Sequence, residues 1–288
     1  MWVRRVLRHL SAILVTILVG GLLGASLVRF APGFGTDERE LDSRFAEESI
    51  EALRGARVAE GNLLAFYGGY LLGLLQGDLG VSTALGRPVR ELLAERVPVT
   101  FRSVGAGLLL GWLAGVSLAV PWAMKRASAY DLFSTAVSGL FLSTPSAVLA
   151  LLFLFADGPV YLAIGLAVFP RVFRYARNLL IESYGLPHVL TARAKGLSGT
   201  RILLSHVFPV AGPQILALAG VTVSLAFGAA IPIEVICDSP GVGQLAWQAA
   251  LGRDLPLLVN LTVLVTAVTV VANSCADLAI AAWEPAGG

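Results

Sequence analysis

Six stretches of this chain, residues 10–28, 104–124, 132–156, 159–180, 210–233 and 257–283, are each about as long and as apolar as a bilayer crossing demands. A helix needs about 20 apolar residues to span the hydrocarbon core. Backbone inside lipid must satisfy its own hydrogen bonds, which for such segments means α-helix. The expected fold is therefore an all-α polytopic membrane protein with six transmembrane helices. Only 14% of the residues are charged, 56% are hydrophobic and the mean hydropathy is +0.78. Soluble domains carry about 25% charged residues. A net charge of +2 gives no case for a nucleic-acid partner.

Orientation follows from Lys and Arg in the short connections. Arg4, Arg5 and Arg8 precede the first span, Lys125 and Arg126 follow the second, and Arg193, Lys195 and Arg201 lie between the fourth and fifth. All fall on one side if the N-terminus is cytoplasmic, and six spans then place the C-terminus there too. The first apolar run is longer than the 7–15 residues of a signal peptide and reads as an uncleaved helix. Spans three and four, separated by Asp157, Gly158 and Pro159, form a tight hairpin.

The segment 31–100 falls outside. Its first part holds eight of the nineteen acids between Asp37 and Glu60 and reads as a short solvated helix. Its second part places Leu63, Leu64, Tyr67, Tyr70, Leu71, Leu74 and Leu75 at helical spacing, as in an amphipathic helix on the outer membrane surface or against the bundle. The organisation is thus an N-terminal transmembrane helix (1–30), an extracytoplasmic segment with an amphipathic helix (31–100), and a five-helix core (101–288) with a cytoplasmic loop at 184–209.

Several segments carry a family resemblance: "LVRFAPG" at 27–33, "QGDLGVSTALGRPVRELLAERVPVT" at 76–100, "LSTPS" at 142–146, "YARNLLIES" at 175–183, "TARAKGLS" at 191–198, "IEVICDSPGVGQL" at 233–245, "GRDLP" at 252–256 and "EP" at 284–285. In this order, over almost the whole length, the chain resembles the permease subunit of ABC importers of the dipeptide/oligopeptide/nickel class. The resemblance implies the type I ABC importer permease fold. It implies a second homologous permease subunit, two ATPase subunits or domains and an extracytoplasmic substrate-binding protein as partners. The setting would be the lipid of a bacterial or archaeal cytoplasmic (inner) membrane. ATP and Mg would belong to the partner subunits; this chain would bind no cofactor and catalyse nothing. The expected cargo is peptide, with nickel or another small solute as the alternative.

In such importers a cytoplasmic loop begins Glu-Ala-Ala, has a Gly six residues after the Glu and often a Pro thirteen beyond. Here Gly196 and Pro209 are thirteen apart and Ala192 takes the third position, but Leu190 and Thr191 replace the first two. By resemblance, Thr191, Ala192, Arg193, Ala194, Lys195, Gly196, Leu197 and Ser198 form the coupling helix that docks on the ATPase. The residues fit that role independently. Ala192 and Ala194 permit close contact, Gly196 can take positive φ and end a helix, and Arg193 and Lys195 suit a helix C-terminus. The resemblance then implies that the missing Glu weakens or reshapes one contact to the ATPase, and the short outer turn 157–159 departs from longer loops in the family.

Arg171, Arg174 and Arg177 recur every third residue in the fourth span. Arg171 lies about 18 Å along it. Snorkelling along a helix kinked at Pro170 is the simpler account. Alternatively Arg171 and Arg174, with Pro145, line the pathway and suit an anionic group such as a carboxylate. Pro145, Pro170, Pro213 and Pro232 read as kinks. Asp277 in the last span needs a partner or water. Cys237 and Cys275 have no metal or disulfide spacing, and His9, His188 and His206 are scattered and form no ligand cluster. No G-x-x-x-x-G-K-[ST] motif is present, so ATP chemistry would come from another chain. A secondary transporter would call for internal repeats and midplane ion ligands, and an intramembrane hydrolase for a paired nucleophile and base. The sequence offers neither.

Overall fold

The computed structural model describes residues 11, 14–16, 18–24, 26, 63–125 and 128–283. The arginines before the first span, the acidic stretch 37–60, "LVRFAPG" and the terminal "EP" lie outside the described residues. Within them the regular structure is helical, with one isolated bridge between Val81 and Pro88. After the helical residues between Leu14 and Gly24 come α1 (Leu63–Leu75), α2 (Val89–Lys125), α3 (Ser128–Ser143), α4 (Ser146–Phe155) and α5 (Val160–Tyr184). Next are α6 (Pro187–Ala194), α7 (Gly199–Ile202), a π-turn (Leu203–Val207), α8 (Phe208–Ile236), α9 (Val242–Leu251) and α10 (Leu255–Trp283). The predicted helix at 63–75 is present as α1.

Three described helices are long and apolar enough to cross a membrane: Val89–Met124, Gly199–Ile236 and Leu255–Trp283. A fourth crossing results if α3 and α4 count as one bent span. α5 has 25 residues but carries three arginines and Glu182. α2 starts at Val89, well before the expected 104, because "VRELLAERVP" continues the helix as a polar extension with Glu91 in its first turn. The third expected span is broken: its halves, 135–143 and 146–155, meet at 91°. Pro145 has no N–H and disfavours the α region at the preceding residue, although Pro170, Pro213 and Pro232 are accommodated inside continuous helices. Ser143 Oγ donates to the Gly139 carbonyl (2.8 Å) and Thr144 Oγ1 to the Leu140 carbonyl (2.9 Å), satisfying the broken end.

Contacts divide the chain into two units, residues 97–244 with 268–288, and residues 1–96 with 245–267. In the larger unit α5 packs on α8, α3 and α4. Its approach to α2 depends on small residues every fourth position: Gly107, Gly111, Gly115, Ala119 and Ala123. A Cβ on Gly107 would stand 2.8 Å from the Tyr161 carbonyl oxygen, one on Gly111 3.0 Å from that of Gly165, and one on Gly115 2.7 Å from Val172 Cγ1. This is small-residue packing, which brings membrane helices within backbone contact. Trp112 Nε1 donates to Thr222 Oγ1 (3.0 Å), tying α2 to α8.

In the smaller unit Tyr67, Leu255 and Val259 form a core with Leu22, Tyr70, Leu71 and Val263. Tyr67 donates its hydroxyl hydrogen to the Leu18 carbonyl (2.7 Å). The buried Asp254 caps α10, accepting from Leu257 N–H (3.0 Å), and also accepts from the Ser82 hydroxyl and Ala84 N–H (3.1 Å). Asn260 Nδ2 donates to the Leu79 carbonyl (3.0 Å). The stretches "QGDLGVSTALG" and "GRDLP" therefore build one another's polar core.

Candidate functional site

The sequence-predicted segment 191–198 folds as the end of α6 and the turn after it. Pro187 supplies the first turn, where its missing N–H costs nothing. Lys195 caps α6, and Gly196 follows at φ +76°. Gly196 N–H donates to the Arg193 carbonyl (2.9 Å) and Leu197 N–H to that of Ala192 (3.3 Å). Those two bonds make a Schellman closure, whose C′ residue must be left-handed. A side chain at Gly196 would meet nothing within 4 Å, so the need for glycine there is conformational and not steric. Ser198 then caps α7, its Oγ accepting from Arg201 N–H (3.4 Å).

α6 has two faces. Val189 and Ala192 are buried among Tyr184, Leu180, Ile202, Val207, Ala211 and Ile215, with Leu197 packed against the same cluster. Leu190, Thr191, Arg193, Ala194, Lys195, Gly196 and Ser198 are exposed. The short helix is thus anchored by apolar packing to the ends of α5 and α8 while presenting a small, basic outer surface. Arg193 lies over the Tyr184 ring, 5.6 Å from its centroid. Burial pushes the Tyr184 phenol above its ordinary pKa, and Arg193 pulls it the other way. At the start of α6, His188 Nε2 lies 3.1 Å from the His206 carbonyl oxygen, and the two rings stack at 6.2 Å.

Arg171 and Arg174 are exposed on α5, outside that cluster, whereas Arg177 is buried and donates to Asn178 Oδ1 (3.2 Å). Pro145 is exposed at the α3–α4 break. Asp277 lies on an exposed part of α10. Among the described residues no three His, Cys, Asp or Glu side chains are grouped to hold a metal ion.

The sequence reading passed over Glu234. It is fully buried and accepts from Thr100 Oγ1 (2.6 Å) and Gly243 N–H (2.6 Å), while Val242 N–H donates to Thr100 Oγ1 (2.7 Å). This carboxylate fastens the α8–α9 turn to α2. Its only sequence signal is an acid at the end of an apolar run.

The chain is 29% identical over 304 residues to the oligopeptide transport system permease protein OppB of Escherichia coli K12, covering 97% of each. It is 27% identical over 306 residues to a putative peptide transport system permease protein of Brucella suis biovar 1, again covering 97% of each. A putative peptide permease protein of the same organism is 28% identical over 270 residues, covering 83% of this chain and 84% of that one. An inward-facing structure of the MetNI methionine ABC transporter matches the fold with a TM-score of 0.60 at 19% identity, over 68% of this chain and 97% of that one. Residues 107–286 match the family of binding-protein-dependent transport system inner membrane components, and the chain belongs to that family.

Proposed function

We propose that this chain is the permease subunit of an ATP-driven importer of peptides and forms half of its translocation pathway. The peptide cargo is supported by relatives that carry peptide transport in their names over nearly their whole length. The mechanical role rests on one observation: a basic helix closed at Gly196 is exposed outward, yet its inner face is packed into the ends of α5 and α8. A surface of that kind can take up the movement of a docked ATPase and pass it to the membrane helices. Residues 191–198 are the docking segment, with Ala194 leaving room for close approach and Arg193 and Lys195 supplying charge.

In this reading ATP and Mg stay on two ATPase subunits, a related permease completes the pathway, and a substrate-binding protein delivers cargo from outside. The chain crosses the membrane six times, with α5 and the N-terminal helix completing the set and both termini in the cytoplasm. Thiol labelling from each side tests this, using a chain without Cys237 and Cys275. Position 198 should react only from the cytoplasmic side and the exposed position 248 only from outside. Mass measurement of the solubilised assembly should show two permeases and two ATPase domains. A chain that transports alone would contradict the proposal.

A further inference from the structure

α5 has a polar face that the coupling role does not use. Arg171, Arg174, Asn178 and Glu182 follow one another at steps of three and four residues, with Tyr175 beside Arg174, and all five are exposed. At 100° per residue they lie within an arc of about 100°. The opposite face is closed, with Val168, Val172, Ala176 and Leu180 at 1% exposure or less. Among the described residues no acceptor is bonded to the Arg171 or Arg174 guanidinium.

Lipid is a poor neighbour for this face. Arg171 and Arg174 are the twelfth and fifteenth residues of the 25 in α5, near its middle. Side chains lean toward the N-terminus of their helix, so these two lean away from the end that carries α6. Snorkelling to that end would run against the direction of the Cα–Cβ bonds. The polar stripe also continues through Asn178 to Glu182, as a wetted wall would and a lipid-facing one would not.

Resting on the peptide-importer reading, we propose that this stripe lines the water-filled pathway, and that Arg171 and Arg174 recognise a carboxylate of the passing peptide. Two guanidiniums one turn apart, beside a phenol and an amide, offer charge-assisted donors to an anionic group. Glu182, about 12 Å beyond Arg174 along the helix, places an acid further along the same wall. It would discourage a carboxylate from lingering there.

The test uses the complete transporter in vesicles, with its binding protein saturated either by a tripeptide or by the same peptide as its C-terminal amide. The wild type should import the free acid in preference to the amide. In the double variant Arg171→Gln, Arg174→Gln the acid-to-amide ratio should fall roughly tenfold, and in Arg171→Lys, Arg174→Lys much less. An unchanged ratio in the Gln variant overturns the assignment while leaving the peptide-importer reading intact. Import of neither compound by the wild type overturns both. Arg174→Cys in a chain lacking Cys237 and Cys275 gives a second reading. It should react with a water-soluble thiol reagent and be protected by the acid better than by the amide. Reaction only with a lipid-soluble reagent would put the stripe against lipid and overturn the proposal.

Discussion

The Arg193 guanidinium carbon stands 5.6 Å from the centroid of the Tyr184 ring, so the last residue of α5 and the last turn of α6 are held face to face. Tyr184 is also part of the apolar cluster that anchors α6, at 3% exposure. Any movement of α6 must therefore carry the end of α5 with it or break this contact.

Tyr184 lends itself to a pair of substitutions. Its hydroxyl is buried with no hydrogen-bond partner among the described residues, so Tyr184→Phe should keep or raise stability, by up to ~1 kcal/mol. Tyr184→Ala should cost about 3–5 kcal/mol through the cavity it leaves. The raised phenol pKa also fixes a sign. Below the ordinary tyrosine value near 10 both states are neutral and nothing changes. Above it the unfolded chain ionises first, so stability falls as pH rises. Thermal unfolding of the detergent-solubilised protein should show this alkaline loss in the wild type and a smaller one in Tyr184→Phe.

The glycine stripe on α2 predicts a contrast within one helix. Gly115→Ala should destabilise by about 1–3 kcal/mol, because the new methyl overlaps Val172 and a packed interface resists displacement. Gly105→Ala meets nothing within 4 Å and should be neutral or stabilise by ~0.5–1 kcal/mol. Equal effects in thermal unfolding would mean that α2 and α5 are not in close contact.

Asp254→Ala removes a helix cap and strands the Ser82 hydroxyl and Ala84 N–H. The expected cost is about 2–4 kcal/mol, from the cap and the unmet donors together. The loop 76–88 should become a site of limited proteolysis. Asp254→Asn keeps an acceptor and should lose less.

What the sequence disclosed depended on how local the cause was. The turn at Gly196 was legible because glycine marks a left-handed helix end. The same closure at Asp157, Asp238 and Arg253, with φ of 48°, 48° and 52°, was not, because even Asp, which enters that region more readily than Arg, is far more often found elsewhere and so does not mark a helix end as glycine does. Pro145 announced a break, but a proline alone does not specify the 91° between the two halves. The glycines at 107, 111 and 115 were in plain view, yet an apolar-run count treats them as filler. Glu234 and Asp254 were beyond reach, since Thr100 lies 134 residues from the one and Ser82 172 residues from the other.

The central claim is that 191–198 carries force between an ATPase and the membrane helices, and Gly196 tests it most directly. Open space surrounds Gly196, so a substitute pays only for its backbone conformation. Gly196→Asn should be tolerated, because Asn enters the left-handed region readily, whereas Gly196→Val should cost roughly 1–3 kcal/mol and displace α6. The measurement is binding-protein-stimulated ATPase activity of the whole transporter in vesicles, with co-purification of the ATPase as a check on assembly. Stimulation should stay near wild type in Gly196→Asn. It should be largely lost in Gly196→Val, and in Arg193→Glu combined with Lys195→Glu. Wild-type stimulation in both impaired designs would show that the segment is only a basic connector, and the coupling assignment would fall.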